Sequence, residues 1–265
     1  MPQEAKTLIM KFGGAAVKNP ESFSHIAGLI IKKSLTFPRI AIVLSAMGGM
    51  TDQLISLAHQ VNPTPPRREY DMLVSAGERI SISLLAMALS AQGREAVSFT
   101  GSQSGIITSS QHSEARIIDM RPYRLLPYLD AHKFVIVAGF QGVSREKEIT
   151  TLGRGGSDTT AVALGVALKA QKVEFYKDVG GIFQNDPKIA SDASPYGALS
   201  YNEAFDVVYQ TGGKVLHPRA IRLAEKNNLP LHVRSFLDME GTGTIIGTES
   251  SQAMESNYED EPSPG

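Results

Sequence analysis

Cysteine is absent from this chain of 265 residues. Its absence excludes disulfides, thiolate metal sites and cysteine nucleophiles. Hydrophobic residues make up 42% and charged residues 20% of the sequence, which is ordinary for a folded protein and excludes disorder as the main state. The length fits one large α/β unit or two closely packed lobes.

Long apolar runs are also lacking. The stretch from Phe134 to Ala138 is typical of those present, so we expect no segment that spans a bilayer. The N-terminus, Met-Pro-Gln-Glu-Ala-Lys, lacks the basic and then apolar pattern of a secretory signal. We therefore expect a cytoplasmic protein that does not bind membranes.

Basic residues are missing after Arg234, and that final part holds seven acids. The preceding part carries 26 basic and 20 acidic residues, a balance that suits a small anionic ligand but is too weak to indicate nucleic acid binding. An ordinary solvated surface explains it equally well. Residues 248–265 are rich in Ser, Glu and Pro without periodicity, which predicts a disordered acidic tail.

Several catalytic motifs are missing as well. The six histidines have no metal-ligand spacing, and Gly-x-Ser-x-Gly is absent, which argues against a zinc enzyme and a serine hydrolase. Neither Gly-x-x-x-x-Gly-Lys-Ser/Thr nor Gly-x-Gly-x-x-Gly occurs, which argues against a P-loop NTPase and a dinucleotide-binding oxidoreductase.

Strands and helices alternate along the chain. Residues 7–12 form an apolar strand that runs into Gly13-Gly14, Asn19-Pro20 begins an amphipathic helix, and 40–44 is a second strand. This order predicts an α/β domain with a parallel sheet and crossover helices, which we place at 1–247. We expect further strands at 96–99, 134–138, 172–177, 231–236 and 244–246, and helices at 75–92, 158–170 and 218–228.

Two glycine-bearing turns have the composition of anion sites. After the first strand, Lys11 and the amides of Gly13 and Gly14 could cradle a phosphate, although Gly-Gly after a strand is more often only a turn. In 150–160, Arg154 stands between glycines before Ser157 and Asp158, at the start of a helix. The guanidinium offers a planar fork for a carboxylate or phosphate, while Asp158 also suits a helix cap.

Three further segments carry charged candidates. Lys177 and Asp178 end a strand before Asp186-Pro187-Lys188, which fits nucleotide and magnesium contacts. Lys214 precedes a helix and is either another cation of the site or a surface lysine. Glu78 near a helix N-terminus is either a first-turn acid or the partner of a ligand's ammonium.

In order and spacing these motifs resemble the catalytic domain of the aspartate kinases, which belong to the amino acid kinase family, over residues 7–247. The Gly-Arg-Gly-Gly-Ser-Asp string is specific to these enzymes within that family. The matching motifs are Lys11-Phe-Gly-Gly, Ser45-Ala-Met-Gly, Ser75-x-Gly-Glu78, 150–160, Asp178 with Asp186-Pro187, Lys214-Val-Leu-His-Pro and Val233-Arg-Ser235.

The resemblance implies a three-layer α/β/α sandwich with a mostly parallel central sheet, the amino acid kinase fold. An N-terminal lobe would bind aspartate, and a C-terminal lobe from about residue 150 would bind ATP. The implied reaction is ATP-dependent phosphorylation of the side-chain carboxylate of L-aspartate, the first step towards lysine, threonine and methionine. It further implies Mg²⁺ held mainly by ATP, and a homodimer.

The resemblance also implies roles for individual residues. Lys11, Gly13 and Gly14 would hold the transferring phosphoryl group and, with Arg154 and Asp158, form the catalytic set. Arg154 would bind the α-carboxylate of aspartate, and Glu78 and Asp158 would face its ammonium. Other aspartate-side residues would be Ser45, Gly49, Thr51, Asp52 and Ser157. Other residues around ATP would be Phe12, Lys177, Asp178, Phe183, Asp186, Pro187, Lys188 and Lys214.

The sequence departs from the family pattern at three places. Ala15-Ala16 replace two hydroxyl residues after the first Gly-Gly, and Gly180 replaces an acid in the nucleotide loop. Paired regulatory domains do not follow, so we expect insensitivity to lysine or threonine unless a partner chain supplies them. Two alternatives stay open: a kinase of the same fold acting on glutamate, N-acetylglutamate or a nucleotide, and a binding protein without turnover, which the departures at 15, 16 and 180 favour.

Overall fold

The structure, a computed structural model, describes residues 6–184, 194–213, 215–238, 240–247 and 256–260. Its strands are β1 Thr7–Phe12, β2 Arg39–Leu44, β3 Ala96–Phe99, β4 Ile106–Thr108, β5 Ile117–Met120, β6 Phe134–Ala138, β7 Gln141–Ser144, β8 Ile149–Thr151, β9 Lys172–Lys177, β10 Ala198–Leu199, β11 Leu231–Ser235 and β12 Thr244–Ile246. Its α-helices are α1 Pro20–Ser34, α2 Met50–Val61, α3 Arg67–Val74, α4 Ala76–Ala91, α5 Leu126–Asp130, α6 Gly156–Ala167, α7 Tyr201–Gln210 and α8 Pro218–Lys226.

Eight strands form the central sheet, in the order β10-β12-β11-β9-β1-β2-β6-β3. Every neighbouring pair is parallel except β11 with β12. The expected α/β class with a mostly parallel sheet is therefore confirmed. Because parallel strands need long crossover connections, the helices between them cover both faces of the sheet.

Alternate residues of β1 enter two separate cores. Leu8, Met10 and Phe12 pack with α1 and α4 on one face, while Ile9 packs with α6 and α8 on the other. This alternation follows from the two-residue period of a strand. It produces the three layers that the resemblance implied.

Helix α1 begins where its sequence predicts. The Asn19 side chain accepts a hydrogen bond from the Ser22 N–H at 3.1 Å, and Pro20 opens the first turn. Phe23, Ile26 and Ile30 recur at helical spacing and are buried against the sheet. The cap, the proline and the apolar face thus all specify the same helix.

A second sheet of four strands, in the order β5-β4-β7-β8, was not predicted. Its strands are three or four residues long and carry several polar side chains, so their sequence shows little apolar alternation. The sheet packs against α3 and α6. Its importance for function is positional, because β8 leads directly into the glycine-framed Arg154.

One expectation about membranes needs correction. Among the described residues, a helical stretch of 25 residues, Arg67–Ala91, is long and apolar enough to cross a bilayer by length and composition alone. Counting uninterrupted apolar runs overlooked it, because a few polar residues divide the stretch. Its α4 half packs against α1, β3 and β6, and buried core helices of globular proteins meet the same two criteria.

Residues 256–260 also differ from the sequence expectation, which placed them in a disordered tail. The Glu259 carboxylate lies 2.9 Å from the Arg219 guanidinium, and the Glu259 N–H donates to the Ile117 carbonyl at 3.0 Å. Tyr258 packs against the core. A segment's composition cannot reveal that one carboxylate finds a matching arginine elsewhere in the fold.

Candidate active site

The predicted charged residues meet at one edge of the central sheet. Lys11 lies at the end of β1, Lys177 ends β9, and Ser45 follows β2. These three parallel strands are neighbours, so their carboxyl ends share one edge. Such an edge is where open α/β sheets bind ligands.

The turn after β1 packs tightly against the loop after β2. A Cβ atom on Gly14 would lie 3.0 Å from the Ala46 carbonyl oxygen, so glycine is needed for this approach. The short 3₁₀ turn Gly14–Ala16 makes its first internal hydrogen bond from the Ala16 N–H to the Gly13 carbonyl. The N–H groups of Gly14 and Ala15 are not used by that turn, which fits a backbone cradle for an anion.

Asp158 joins two lysines at the centre of the site. Its Oδ1 lies 2.7 Å from Nζ of Lys11, and its Oδ2 lies 3.6 Å from Nζ of Lys177. The backbone N–H of His217 donates to Oδ2 at 3.3 Å. Burial alone would raise the pKa of Asp158, but the two ammonium groups lower it to about 2. Burial lowers the pKa of Lys177 to about 8.

Two sequence interpretations of Asp158 differ from this arrangement. Gly155, with a φ of 72°, is the N-cap of α6, and Asp158 lies within the first turn instead of capping it. In this structure the Asp158 carboxylate faces the ammonium groups of Lys11 and Lys177 and the N–H of His217. The helix start turns this side chain towards the ends of β1 and β9, which sequence spacing alone did not indicate.

Glu78 is buried nearby on α4. Its Oε1 accepts a hydrogen bond from the Ala46 N–H at 3.1 Å, while Oε2 has no hydrogen-bond partner within the described residues. Burial raises the pKa of Glu78 to about 7, against the opposing effect of the Ala46 N–H. Gly77 permits the close approach, because a Cβ there would lie 2.8 Å from that of Ala46. The unpartnered oxygen suits the ammonium group of a ligand.

Arg154 projects from a loop that only glycines can form. Gly153 and Gly155 have φ angles of 70° and 72°, and a Cβ on Gly155 would overlap the His217 ring. The glycines therefore have a structural reason that the sequence did not reveal. Arg154 itself is exposed and makes no hydrogen bond or ion pair with the described residues, so its guanidinium is available to a ligand.

The other aspartate-side candidates also lie around this edge. Ser45 is half-buried, and its N–H donates to the Phe12 carbonyl at 3.1 Å. Gly49, with a φ of 78°, caps α2, and Thr51 and Asp52 stand in the first turn of that helix. Ser157 is buried in the first turn of α6. The structure thus brings two helix N-termini, α2 and α6, towards the ends of β2 and β9.

The nucleotide-side candidates divide into three groups. Phe12 is fully buried and stacks on Tyr176 with ring centroids 4.7 Å apart, so its side chain cannot contact a ligand. Asp178 is exposed and Phe183 is half-buried in the segment after β9. The predicted contacts Asp186, Pro187, Lys188 and Lys214 lie outside the described residues.

The departures from the family pattern are chemical and not steric. A side chain at Gly180 would meet no atom within 4 Å, so the position has room for the missing acid. Ala15 is exposed and Ala16 is buried, so only the first of these two positions could present a hydroxyl to solvent. Within the described ranges, no group of three or more His, Asp and Glu side chains could hold a metal ion.

Sequence reasoning missed two charged residues beside the site. Asp71 is fully buried on α3, and Arg219 on α8 donates to the Leu152 carbonyl at 2.7 Å, next to the Arg154 loop. In the sequence, Asp71 follows Arg67-Arg-Glu-Tyr and has the neighbours of a solvated charge. No signal in a single sequence distinguishes such a residue from a surface one.

Comparison with known proteins gives a consistent result. The model of the amino acid kinase family matches residues 6–235. The chain is 45% identical over 250 residues to an aspartokinase of Bacillus sp. strain MGA3, covering 94% of this chain and 60% of that protein. The chain thus spans about 60% of the length of this curated relative.

Solved structures agree with the sequence relatives. An aspartate kinase from Synechocystis has a TM-score of 0.83 and 41% identity, with 94% of this chain and 40% of that chain covered. Aspartokinase III of E. coli, in complex with aspartate and ADP, has a TM-score of 0.82 and 26% identity, with 93% and 65% covered.

Proposed function

The chain belongs to the amino acid kinase family, and we propose that it transfers the γ-phosphoryl group of ATP to the side-chain carboxylate of L-aspartate. The relatives named above are aspartokinases, and the E. coli structure holds aspartate and ADP. The observation that carries the proposal is one edge of the sheet where Asp158 bridges Lys11 and Lys177 beside the unpartnered oxygen of Glu78 and the exposed Arg154.

This reaction needs no general base. An aspartate side chain is already ionised at neutral pH, so its oxygen can attack the γ-phosphorus directly. A bond forms between that oxygen and phosphorus, and the bond to the bridging oxygen of ATP breaks, with ADP leaving with the electron pair. Catalysis is then alignment and charge cancellation, which a site of lysines and backbone N–H groups can supply.

Each half of the site has its own task. Lys11 and Lys177 would face the negative oxygens of the transferring phosphoryl group, and Asp158 would hold the two ammonium groups together. This differs from the ammonium contact that the sequence suggested for Asp158, and it follows from the ion pairs of 2.7 and 3.6 Å. The amides after β1 would add uncharged donors to the same phosphates.

Aspartate would be held at both backbone charges. The Arg154 guanidinium offers a bidentate fork for its α-carboxylate, and the free Glu78 oxygen would accept its ammonium. Ser45, Thr51 and Ser157 would contribute polar contacts around its side chain. Holding both ends of a short amino acid fixes the distance between its side-chain oxygen and the phosphate cradle.

Mg²⁺ fits this site as an ion carried by the nucleotide. Mg²⁺ commonly binds through one or two carboxylates plus phosphates, and the described residues offer no cluster of three acidic or histidine ligands. Asp178, exposed directly after β9, is a candidate ligand from the chain. The ion would supply charge neutralisation on the phosphates.

Four finer features belong to the same proposal. The product would feed lysine, threonine and methionine synthesis, and the protein would act in the cytoplasm. The aspartate lobe would precede about residue 150, with the ATP lobe following. The chain would form a homodimer, for which the exposed Ile80 and Met87 on α4 offer an apolar face. Gel filtration of an Ile80→Glu variant would test the dimer.

The proposal is tested by measuring ADP release with aspartate, ATP and Mg²⁺, and trapping the acyl phosphate with hydroxylamine. Turnover with aspartate and none with glutamate, N-acetylglutamate or uridine monophosphate is expected. Turnover with one of those other acceptors would assign a different kinase. ATP binding by calorimetry without any phosphotransfer would assign a binding protein.

The Arg154→Ala variant distinguishes a loss of aspartate binding from a general loss of structure. Losing a bidentate pair to the α-carboxylate should lower kcat/KM for aspartate by roughly 10²-fold, with ATP binding unchanged. Arg94→Ala is the matched control, since Arg94 is also exposed but follows α4 at its far end from Glu78. Equal kinetics in both variants would refute the role of Arg154.

A further inference from the structure

Asp71 is the most completely satisfied buried carboxylate near the active site, although no ligand contact is expected of it. It is fully buried on α3. Its Oδ2 faces the Ser113 N–H at 3.0 Å, the Thr151 N–H at 3.0 Å and Nδ1 of His112 at 2.9 Å. Its Oδ1 accepts from the hydroxyls of Ser113 at 3.1 Å and Thr151 at 2.7 Å.

These contacts join two separate chain segments at the base of the Arg154 loop. Thr151 ends β8 and stands three residues before Arg154. Ser113 lies on the opposing segment, and a Cβ on Gly153 would come within 3.0 Å of its carbonyl oxygen. The Ala115 N–H donates to the Thr151 carbonyl at 2.9 Å, so the two segments run side by side. A single side chain therefore fastens both sides of the loop's base.

The loop needs such an anchor because its tip has none. Arg154 makes no hydrogen bond or ion pair with the described residues, so the backbone on either side sets its position. Gly153 and Gly155 give that backbone two left-handed residues, which are conformationally free unless neighbouring contacts fix them. A guanidinium that must meet a carboxylate bidentately requires its loop to be held closely.

We propose that Asp71 is a positioning residue that sets the Arg154 loop for binding the α-carboxylate of the acceptor amino acid. The inference rests on the proposed function for the identity of that acceptor. The effect of Asp71 on the order of the Arg154 loop does not depend on the proposed function, because Asp71 holds the loop whether or not a substrate is present. The role requires the hydrogen-bond geometry of Asp71 more than its charge, since four of its five partners are backbone N–H or hydroxyl groups.

Two variants at this position separate geometry from charge. In Asp71→Asn the amide oxygen can accept from the N–H donors, while its NH₂ group donates to the hydroxyl oxygens of Ser113 and Thr151. In Asp71→Ala every one of these partners is left unsatisfied. We therefore expect Asp71→Ala to raise KM for aspartate on the order of 10-fold or more, and Asp71→Asn to stay within about threefold of the parent.

The measurements are made on the whole chain. Steady-state kinetics give KM for aspartate and kcat, calorimetry gives the affinity for a non-hydrolysable ATP analogue, and hydrogen exchange without ligand reports on 152–157. The Asp71→Ala variant should lose aspartate affinity and exchange protection in 152–157, while ATP-analogue binding stays within about twofold. Thr151→Val removes one hydroxyl bond and should show the same pattern at smaller size, which serves if Asp71→Ala does not fold.

Thr108→Val is the matched control. The Thr108 and Thr150 hydroxyls form a buried hydrogen bond in the same small sheet, and neither of them hydrogen-bonds to Asp71. This variant should lose stability without changing KM for aspartate. Unchanged KM and unchanged exchange in Asp71→Ala or Thr151→Val, or equal losses of aspartate and ATP affinity, would overturn the proposal. Changed exchange in a chain that never phosphorylates aspartate would refute the proposed function and leave the positioning role intact.

Discussion

Asp158 and Glu78 are two carboxylates of one site, both almost fully buried, and their pKa values shift in opposite directions. The pKa of Asp158 falls to about 2 although burial opposes this, because Lys11 and Lys177 face it. The pKa of Glu78 rises to about 7, because burial acts on it without an ammonium in contact. Burial of a charge is thus compensated by the chain at one carboxylate and left uncompensated at the other.

A third buried carboxylate, Glu174, shows whether the partner or the location sets the direction of the pKa shift. Glu174, fully buried on β9, lies 2.9 Å from both Lys33 and Lys172, outside the site. Burial would raise its pKa, but these ammonium groups lower it to about 2, as at Asp158. The partner and not the location decides the direction. Glu78 differs because no ammonium or guanidinium group among the described residues forms an ion pair with it, which fits the contact with the aspartate ammonium proposed above.

Removing Lys11, the nearer cation of Asp158, should have the largest effect on activity. Lys11→Met takes away the nearer ammonium of Asp158 and one cation facing the phosphoryl group, so kcat should fall by about 10³-fold. ADP release measures it. Lys33→Met is the control, since it also removes the ammonium of a buried pair, with Glu174, but outside the site. A similar fall in kcat in both variants would show that Lys11 acts through stability alone.

Neutralising each carboxylate should change stability in opposite directions. The depressed pKa of Asp158 stabilises the fold above about pH 4, and this contribution is lost as pH falls through about 2. The raised pKa of Glu78 destabilises the fold above about pH 7, and this cost disappears as pH falls through about 4.5. At about pH 8, Asp158→Asn should lower the unfolding free energy by about 2 kcal/mol, and Glu78→Gln should raise it by up to about 3 kcal/mol.

Urea unfolding at about pH 8 and about pH 5 measures both effects. The gain in Glu78→Gln should shrink at the lower pH, where the parent's Glu78 is already protonated when folded. The loss in Asp158→Asn should persist, because that pH is still well above the pKa of Asp158 in either state. A Glu78→Gln variant less stable than the parent at both pH values would contradict the uncompensated burial of this carboxylate.

Aspartate binding should release protons through Glu78. The free protein holds Glu78 mostly protonated at about pH 6 and about half protonated at about pH 7, and a substrate ammonium beside it would favour the ionised form. Calorimetry in two buffers of different ionisation enthalpy should detect release of up to one proton per site. Release should vanish in Glu78→Gln and persist in Arg154→Ala at saturating aspartate. Release that does not depend on Glu78 would assign the proton to another group.

The sequence predicted the parts of this site that local patterns specify. Strands β1, β3, β6, β9 and β12 have the predicted bounds, because apolar runs between turn residues define buried parallel strands. Lys11, Glu78 and Arg154 were identified as candidates because they stand at strand ends, a helix start and a glycine turn. Such features are short in sequence and need no knowledge of the fold.

What the sequence missed depends on contacts between distant segments. Helices α2 and α3 were overlooked, because α2 has a single buried residue, Ala58, and α3 is charged. The pairing of Asp158 with Lys177 follows from the neighbouring ends of β1 and β9 and the start of α6, which only the fold brings together. The burial of Asp71 and the docking of Glu259 likewise depend on partners some 80 or 40 residues away.

The smallest effect is expected at Glu259, a half-buried carboxylate that is paired with Arg219. Its partner Arg219 keeps 30% of its side chain exposed, so solvent screens the pair, and Glu259→Gln should cost only about 1 kcal/mol of unfolding free energy. Arg219 also donates to the Leu152 carbonyl beside the Arg154 loop, and Glu259→Gln leaves that bond in place. We therefore expect KM for aspartate to change by less than about threefold. Asp260→Asn, whose carboxylate lies 3.6 Å from Lys226 and is largely exposed, should change neither quantity. Urea unfolding and aspartate kinetics on the three chains decide this. If Glu259→Gln lowered the unfolding free energy as much as Asp158→Asn does, exposure to solvent would not weaken these ion pairs. The differences among the carboxylates would then have a cause other than burial.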